Sequence, residues 1–244
     1  MTQLDEARAA LAPTGELRAA INLGNFLLVT GKTAAGDPQG VSPSVAAALA
    51  ERLSVPLRLI GYDTPGQVAD AAVLDEWDIG NIGAEPKRAE TINFTAAYCE
   101  IESTYMVPPG STMQTVDDVD QPGVRIAVSA RSAYELWLSR NIKHAQLVLV
   151  EGLDASYDIF EKDKLEALAG LRPRLISDVE RMPGARILEQ KFSAVQQAVG
   201  TPKSRPEAGI KFLLEFVEEL KANSTIARFI SQHDVRGLSV APPA

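Results

Sequence analysis

Apolar residues recur at four-residue spacing through Val45, Leu49 and Leu53, which predicts an amphipathic helix with Ser42 as its cap and Pro43 in its first turn. The runs on either side, Leu17 to Leu23 and Leu57 to Tyr62, read as strands. Gly24-Asn25-Phe26 breaks the first of them, Gly31 to Gly40 reads as a loop, and Pro56 ends the helix. Residues 4 to 11 predict a short polar helix ended by Pro13 and Gly15, and Gly66 to Leu74 a second, weaker amphipathic one. Trp77-Asp78-Ile79 opens a further strand. Residues 92 to 107 form a β-branched and aromatic run closed by Pro108-Pro109-Gly110. Strands alternating with helices predict a mostly parallel sheet flanked by helices, an α/β fold.

The same pattern then restarts. Gly123 to Val128 reads as a strand, Ser129 to Ser132 as a turn into a helix reaching about Asn141, and Leu147 to Val150 as another strand. Lys164 to Gly170 predicts a short helix, while Leu171 to Gly184, with Pro173 and Pro183, shows no clear period. Residues 186 to 201 regain β character. Pro206 opens a strong helix whose stripe is Ile210, Leu213, Leu214, Val217 and Leu220, and a last helix carries Ile226, Phe229 and Ile230.

Composition narrows the function. The 24 Lys and Arg against 32 Asp and Glu give a net charge of −8, which opposes nucleic-acid binding. No stretch approaches the length of a membrane span, so direct membrane insertion is not expected. Cys99 is the only cysteine, and its apolar surroundings predict buried packing. His144 and His233 stand alone, so no metal site is expected. Neither a glycine-rich phosphate loop nor a nucleophile elbow is present, and no cofactor and no catalytic residue are assigned.

Candidate chemistry centres on Asp78 to Arg88. Gly80 and Gly83 relieve the backbone of side-chain clash, and Pro86 favours the first turn of a helix that carries Arg88. An anion there would meet backbone N–H groups and a guanidinium fork matched to a carboxylate; the same spacing also suits an ordinary strand-turn-helix with a surface arginine. Asn25 and Phe26 after the first strand can supply an amide and an apolar wall. Ser129, Ser132 and Tyr134 at the second helix start can donate hydrogen bonds, although plain capping also accounts for Ser132.

In this order, with Pro86-Lys87-Arg88 followed by Phe94-Thr95-Ala96-Ala97-Tyr98, the chain resembles the type II periplasmic solute-binding proteins of ABC importers, in their polar amino-acid class. The resemblance covers nearly the whole chain. It implies two lobes, residues 1–107 with 200–244 and residues 108–199, joined by two crossings, with a ligand clamped in the interlobe cleft. It implies that Arg88 grips the ligand carboxylate, with Asn81, Gly83, Asn25 and Phe26 from the first lobe. The turn Ile126-Ala127-Val128 to Ser132-Ala133 is similar to the family's second-lobe turn, which adds Ser129, Ser132 and Ala133.

The departures concern the ligand. Ala97 replaces the family's proline, Arg131 a glycine, Gly83 and Glu85 stand near positions that usually hold a hydroxyl, and Leu171 takes the place of the aspartate that holds an α-ammonium. Glu166 matches a more N-terminal acid that supports the fold. A zwitterion without its acidic partner would leave a charge unpaired at a cost of several kcal/mol. The expected ligand is therefore a carboxylate-bearing solute, an amino acid or related organic acid, and an ABC-transporter permease is the expected protein partner. A dehydratase of the cyclohexadienyl or arogenate type is the alternative, with Glu85, Glu100 or Glu166 as proton donor, and a cytoplasmic ligand sensor is another. The first residues, Met1 to Arg8, lack the basic start and apolar core of a secretory signal. The chain as written is expected in the cytoplasm, or in the periplasm where a signal has been removed.

Overall fold

The computed structural model describes residues 2–244, so Met1 of the polar leader lies outside the described residues. The chain forms two compact units: one runs through Glu100 and resumes at Gln196, and the other is Ile101–Val195.

In the first unit, α1 (Gln3–Leu11) begins with a capping box between Thr2 and Asp5 and buries Ala7, Ala10 and Leu11. After β1 (Leu17–Asn22), the 31–40 segment is not bare loop: β2 (Gly31–Lys32) and β3 (Pro38–Gln39) pair antiparallel. The next helix, α2 (Val41–Leu53), is capped by Gly40 and not by Ser42. Gly40 has φ 152°, and a Cβ there would collide with the Leu28 carbonyl oxygen, so only glycine fits this close approach. The Ser42 hydroxyl instead lies 3.2 Å from that of Tyr98. β4 (Leu57–Tyr62) and α3 (Pro65–Ala71) follow, the latter capped by Thr64 and Gln67. β5 (Ile79–Gly83) takes Gly80 and Gly83 into the strand that Trp77-Asp78-Ile79 opens; a Cβ on Gly80 would press on the Trp77 ring at 3.2 Å. β6 (Ile92–Val107) is a single strand whose residues through Glu100 belong to this unit.

The second unit continues through β7 (Arg125–Ser129), α4 (Ala133–Asn141) and β8 (Gln146–Val150). A helix that the sequence reading passed over comes next, α5 (Leu153–Lys162), with Tyr157 and Phe160 buried. The helix expected at 164–170 is instead β9 (Ala167–Leu171), buried at all five positions between β6 and β7. Its helix-forming residues yield to this tertiary pairing. α6 (Arg172–Glu180) fills the segment without clear period, Pro173 falling in its first turn where no N–H is needed. β10 (Arg186–Ile187) pairs with β6, giving an order β6-β9-β7-β8 with β10 at the side. Met106, Ala127, Phe160, Leu168 and Leu175 are the centre of this unit's core.

β11 (Ser193–Pro202) returns the chain to the first unit, followed by α7 (Glu207–Ala222), α8 (Thr225–Gln232) and β12 (Ser239–Val240). Pro206 is the N-cap of α7, one position earlier than the sequence suggested. The first unit's strands run β4-β1-β5-β11-β6, with β1, β4 and β5 parallel. One face of this sheet buries Leu17, Ile79, Tyr98 and Val199 against α2 and α7; the other packs Ala20 and Ile82 on Trp77 and Val68. Among the described residues no helix is long and apolar enough to cross a membrane.

Candidate functional site

Ligand sites in open α/β sheets lie beyond the carboxyl ends of the parallel strands, and in the first unit those ends are Asn22, Tyr62 and Gly83. Arg88 follows the end of β5 in a three-residue 3-10 turn, Arg88–Glu90, and not in the full helix that Pro86 suggested. Its side chain is 4% exposed. One guanidinium N–H, on Nη1, donates to the Gly83 carbonyl at 2.7 Å, which fixes the plane of the fork relative to the end of β5.

Asn81 lies two residues before Gly83 on the same face of β5. Its amide is buried, and neither Oδ1 nor Nδ2 has a hydrogen-bond partner among the described residues. The antiparallel register sets Val199 opposite Asn81 and Gln197 opposite Gly83. Gln197 is thus a second buried amide on that face, beside a position with no side chain. The sequence reading missed it, because the 186–201 run carries only a β signal. Asn25 is buried and committed locally, its Oδ1 accepting from the Leu27 N–H at 3.2 Å; Phe26 is partly exposed next to it.

In the second unit, Ser129 ends β7, and Ser132 caps α4 by accepting from the Glu135 N–H at 3.1 Å. Ala133 is the first helical residue, and both serines are buried. Arg131, which stands where the resemblance expects glycine, adopts φ 59°, a left-handed geometry that glycine reaches without strain. Its N–H donates to Glu135 Oε2 at 2.8 Å. The Tyr134 phenol has no hydrogen-bond partner among the described residues. Burial pushes its pKa up to about 12.

Glu166 does not suit the proton-donor role. Its Oε2 accepts from the Arg125 N–H at 2.8 Å and from Nε at 3.0 Å, and its Oε1 from Nη2 at 2.8 Å. Hydrogen bonding to Arg125 lowers its pKa, which opposes general-acid work. Leu171 is buried at the end of β9, so this strand end offers no acid. Cys99 is buried, and burial pushes its thiol pKa up, away from reactivity. No cluster of His, Cys, Asp and Glu among the described residues is arranged to hold a metal ion.

Two α/β units, each with parallel strands and an amide- or hydroxyl-bearing strand end, define a protein of the two-lobed periplasmic-binding class. The family model described as bacterial extracellular solute-binding proteins, family 3, matches residues 27–233, and the chain belongs to that family.

Solved structures agree on the fold. An amino acid ABC transporter substrate-binding protein from Streptococcus pneumoniae bound to L-arginine is similar at 16% identity, covering 99% of this chain and 100% of its own, with a TM-score of 0.72. A binding component of an ABC transporter from Wolinella succinogenes, complexed with lysine, is 17% identical over 89% of this chain and 95% of its own, with a TM-score of 0.73. An ancestral amino acid-binding protein described as a precursor of cyclohexadienyl dehydratase is 17% identical over 95% of this chain and 99% of its own, with a TM-score of 0.71. Comparison with curated proteins finds no match.

Proposed function

We propose that this chain binds a small carboxylate-bearing solute, an amino acid or related organic acid, with Arg88 as the group that takes the carboxylate. The observation that carries this reading is an arginine only 4% exposed, its guanidinium oriented by the Gly83 carbonyl just past a parallel strand end, in a chain of a solute-binding family. A charge-assisted, two-point contact to carboxylate is the interaction a fixed guanidinium makes best. Asn81, Gly83, Asn25 and Phe26 are proposed as its neighbours on the first unit, and Ser129, Ser132 and Ala133 as ligand-binding positions on the second.

Leu171 supports organic acids as well as amino acids, because the acid that would neutralise an α-ammonium is missing at that strand end. The experiment is a calorimetric titration over amino acids, dicarboxylates, keto acids and aromatic acids, with Arg88→Ala alongside. A ligand bound by the parent chain and lost in Arg88→Ala supports the reading. A ligand bound equally by both rejects the assignment of Arg88.

Relatives described as ABC-transporter components support delivery of the solute to a membrane permease, and the family's description supports an extracellular or periplasmic setting. Stimulation of a reconstituted transporter's ATPase by the loaded protein tests the first, and fractionation of cells expressing the native gene tests the second.

A further inference from the structure

The Asn81 amide is an unusual feature of the first unit's sheet. It sits in the middle of β5, with Ile21 of β1 and Val199 of β11 as register partners, where a branched apolar residue would pack without penalty. The chain instead places there a side chain with one acceptor and one twofold donor, 1% exposed, and leaves both unpartnered among the described residues. Buried polar groups without partners destabilise a fold, so an Asn held this way points to a ligand that completes it. The adjacent position on the same face is Gly83, whose carbonyl orients Arg88, and opposite Gly83 stands the buried amide of Gln197.

We propose that Asn81 reads a donor–acceptor edge on the solute whose carboxylate Arg88 takes, so that the preferred ligand class is a carboxylic acid bearing a carboxamide or ureide. This deepens the carboxylate reading and rests on it. The chemistry is specific. A carboxamide or ureide offers an N–H to Oδ1 and a carbonyl to Nδ2 at once. A ketone satisfies only Nδ2, and an alkyl chain satisfies neither. A second ionised carboxylate satisfies Nδ2 but sets its other oxygen against Oδ1. A site built to pair both groups therefore rejects analogues that lack one of them.

The test uses the full chain and a length series of straight-chain ω-carboxamide acids, from malonamic to adipamic acid, each matched with the methyl-ketone acid of the same length. The parent protein is expected to bind at least one carboxamide acid about ten- to a hundredfold more tightly than its ketone partner. Asn81→Leu should erase that preference and raise the ligand-free melting temperature by a few degrees or so, since it removes two buried unpaired groups. Asn81→Ser, which keeps one hydroxyl, should reduce the preference and covers the case in which the leucine variant fails to fold. Equal affinity across every matched pair, or a preference unchanged in Asn81→Ser and Asn81→Leu, overturns the proposal. So does a melting temperature that falls in Asn81→Leu with ligand preference intact, which marks the amide as paired with buried water. A dicarboxylate that binds through Arg88 while every carboxamide acid is silent overturns the Asn81 assignment and leaves the carboxylate reading standing.

Discussion

Asp78 Oδ2 accepts from both the backbone N–H of Arg18, at 2.9 Å, and its Nε, at 3.0 Å, so one buried carboxylate fixes the strand and the side chain of β1 together. Oδ1 adds Arg18 Nη2 at 2.9 Å and Arg205 Nη2 at 2.6 Å, which ties the approach to α7 to the same point. The second unit repeats the device: Glu166, immediately before β9, takes the N–H, Nε and Nη2 of Arg125 in β7. In both units an acid preceding one strand clamps an arginine of its parallel neighbour. The repeated strand-turn-helix pattern in the sequence thus extends to the ion pairs.

The two clamps differ in burial, and that predicts unequal costs. Asp78 is fully buried between Arg18 and Arg205, whose side chains are 13% and 12% exposed, whereas the Glu166 side chain is 34% exposed. Asp78→Asn takes the buried carboxylate from two guanidinium groups, leaving them the exposed carboxylate of Asp75, and should cost about 3–5 kcal/mol in urea unfolding. Glu166→Gln, in contact with water, should cost clearly less. Equal losses in the two variants would mean that burial does not set the strength of these clamps.

Two carboxylates of the second unit contribute to acid stability. Hydrogen bonding to Arg125 holds Glu166 below its ordinary value of 4.5. Burial would raise Asp120, but the N–H groups of Ala145, His144 and Lys143 bring it below 3.8. A depressed folded-state pKa means that the unfolded chain takes up the proton first. The stabilisation is therefore complete above the ordinary values and is lost as pH falls through the folded ones. Melting temperature should hold on this account from about pH 7 to pH 5 and fall below about pH 4.5, with a shallower acid limb in Glu166→Gln. An acid limb identical in parent and variant would remove Glu166 from the explanation.

Gly40 and Gly36 separate two reasons for glycine. Both have positive φ, 152° and 91°, but a Cβ at Gly36 meets nothing within 4 Å, while one at Gly40 runs into the Leu28 carbonyl and Val29 Cα. Gly36→Ala bears only the dihedral strain, about 1 kcal/mol. Gly40→Ala must also move backbone where the loop meets the first turn of α2, so its unfolding free energy should fall by a further 1 kcal/mol or more. Chemical denaturation of the pair measures the difference directly.

What the sequence discloses and what it hides divide along physical lines. α2 and α7 were legible because their apolar stripes persist over several turns, and β6 because its run of β-branched and aromatic residues is long. β9 was misread as a helix since Lys-Leu-Glu-Ala-Leu-Ala has high helical propensity. Only its burial between two strands, which local sequence does not carry, makes it a strand. α5 did carry a signal, with Leu153, Tyr157 and Phe160 at helical spacing, but Asp154, Asp158 and Glu161 broke up the run. Arg88 stood out through neighbouring glycines and a proline, and Asn81 only through the resemblance to the solute-binding family. Gln197 did not, because its place opposite Gly83 is set by β-strand register, which local sequence does not carry.

Arg88 offers the sharpest functional prediction, because charge and geometry can be varied separately. Arg88→Lys keeps a cation near the end of β5, but an ammonium is a point donor without the planar fork that can hold the Gly83 carbonyl and a carboxylate at once. The lysine variant should therefore bind the solute about ten- to a hundredfold more weakly than the parent, with most of the loss in enthalpy, and Arg88→Ala should show no measurable binding. Both variants leave the Gly83 carbonyl without this donor, so both should melt lower than the parent before any ligand is added. Isothermal calorimetry beside thermal melts separates the two effects. If Arg88→Lys matched the parent in affinity while melting lower, the fork would be serving the loop alone, and the carboxylate would be held by charge.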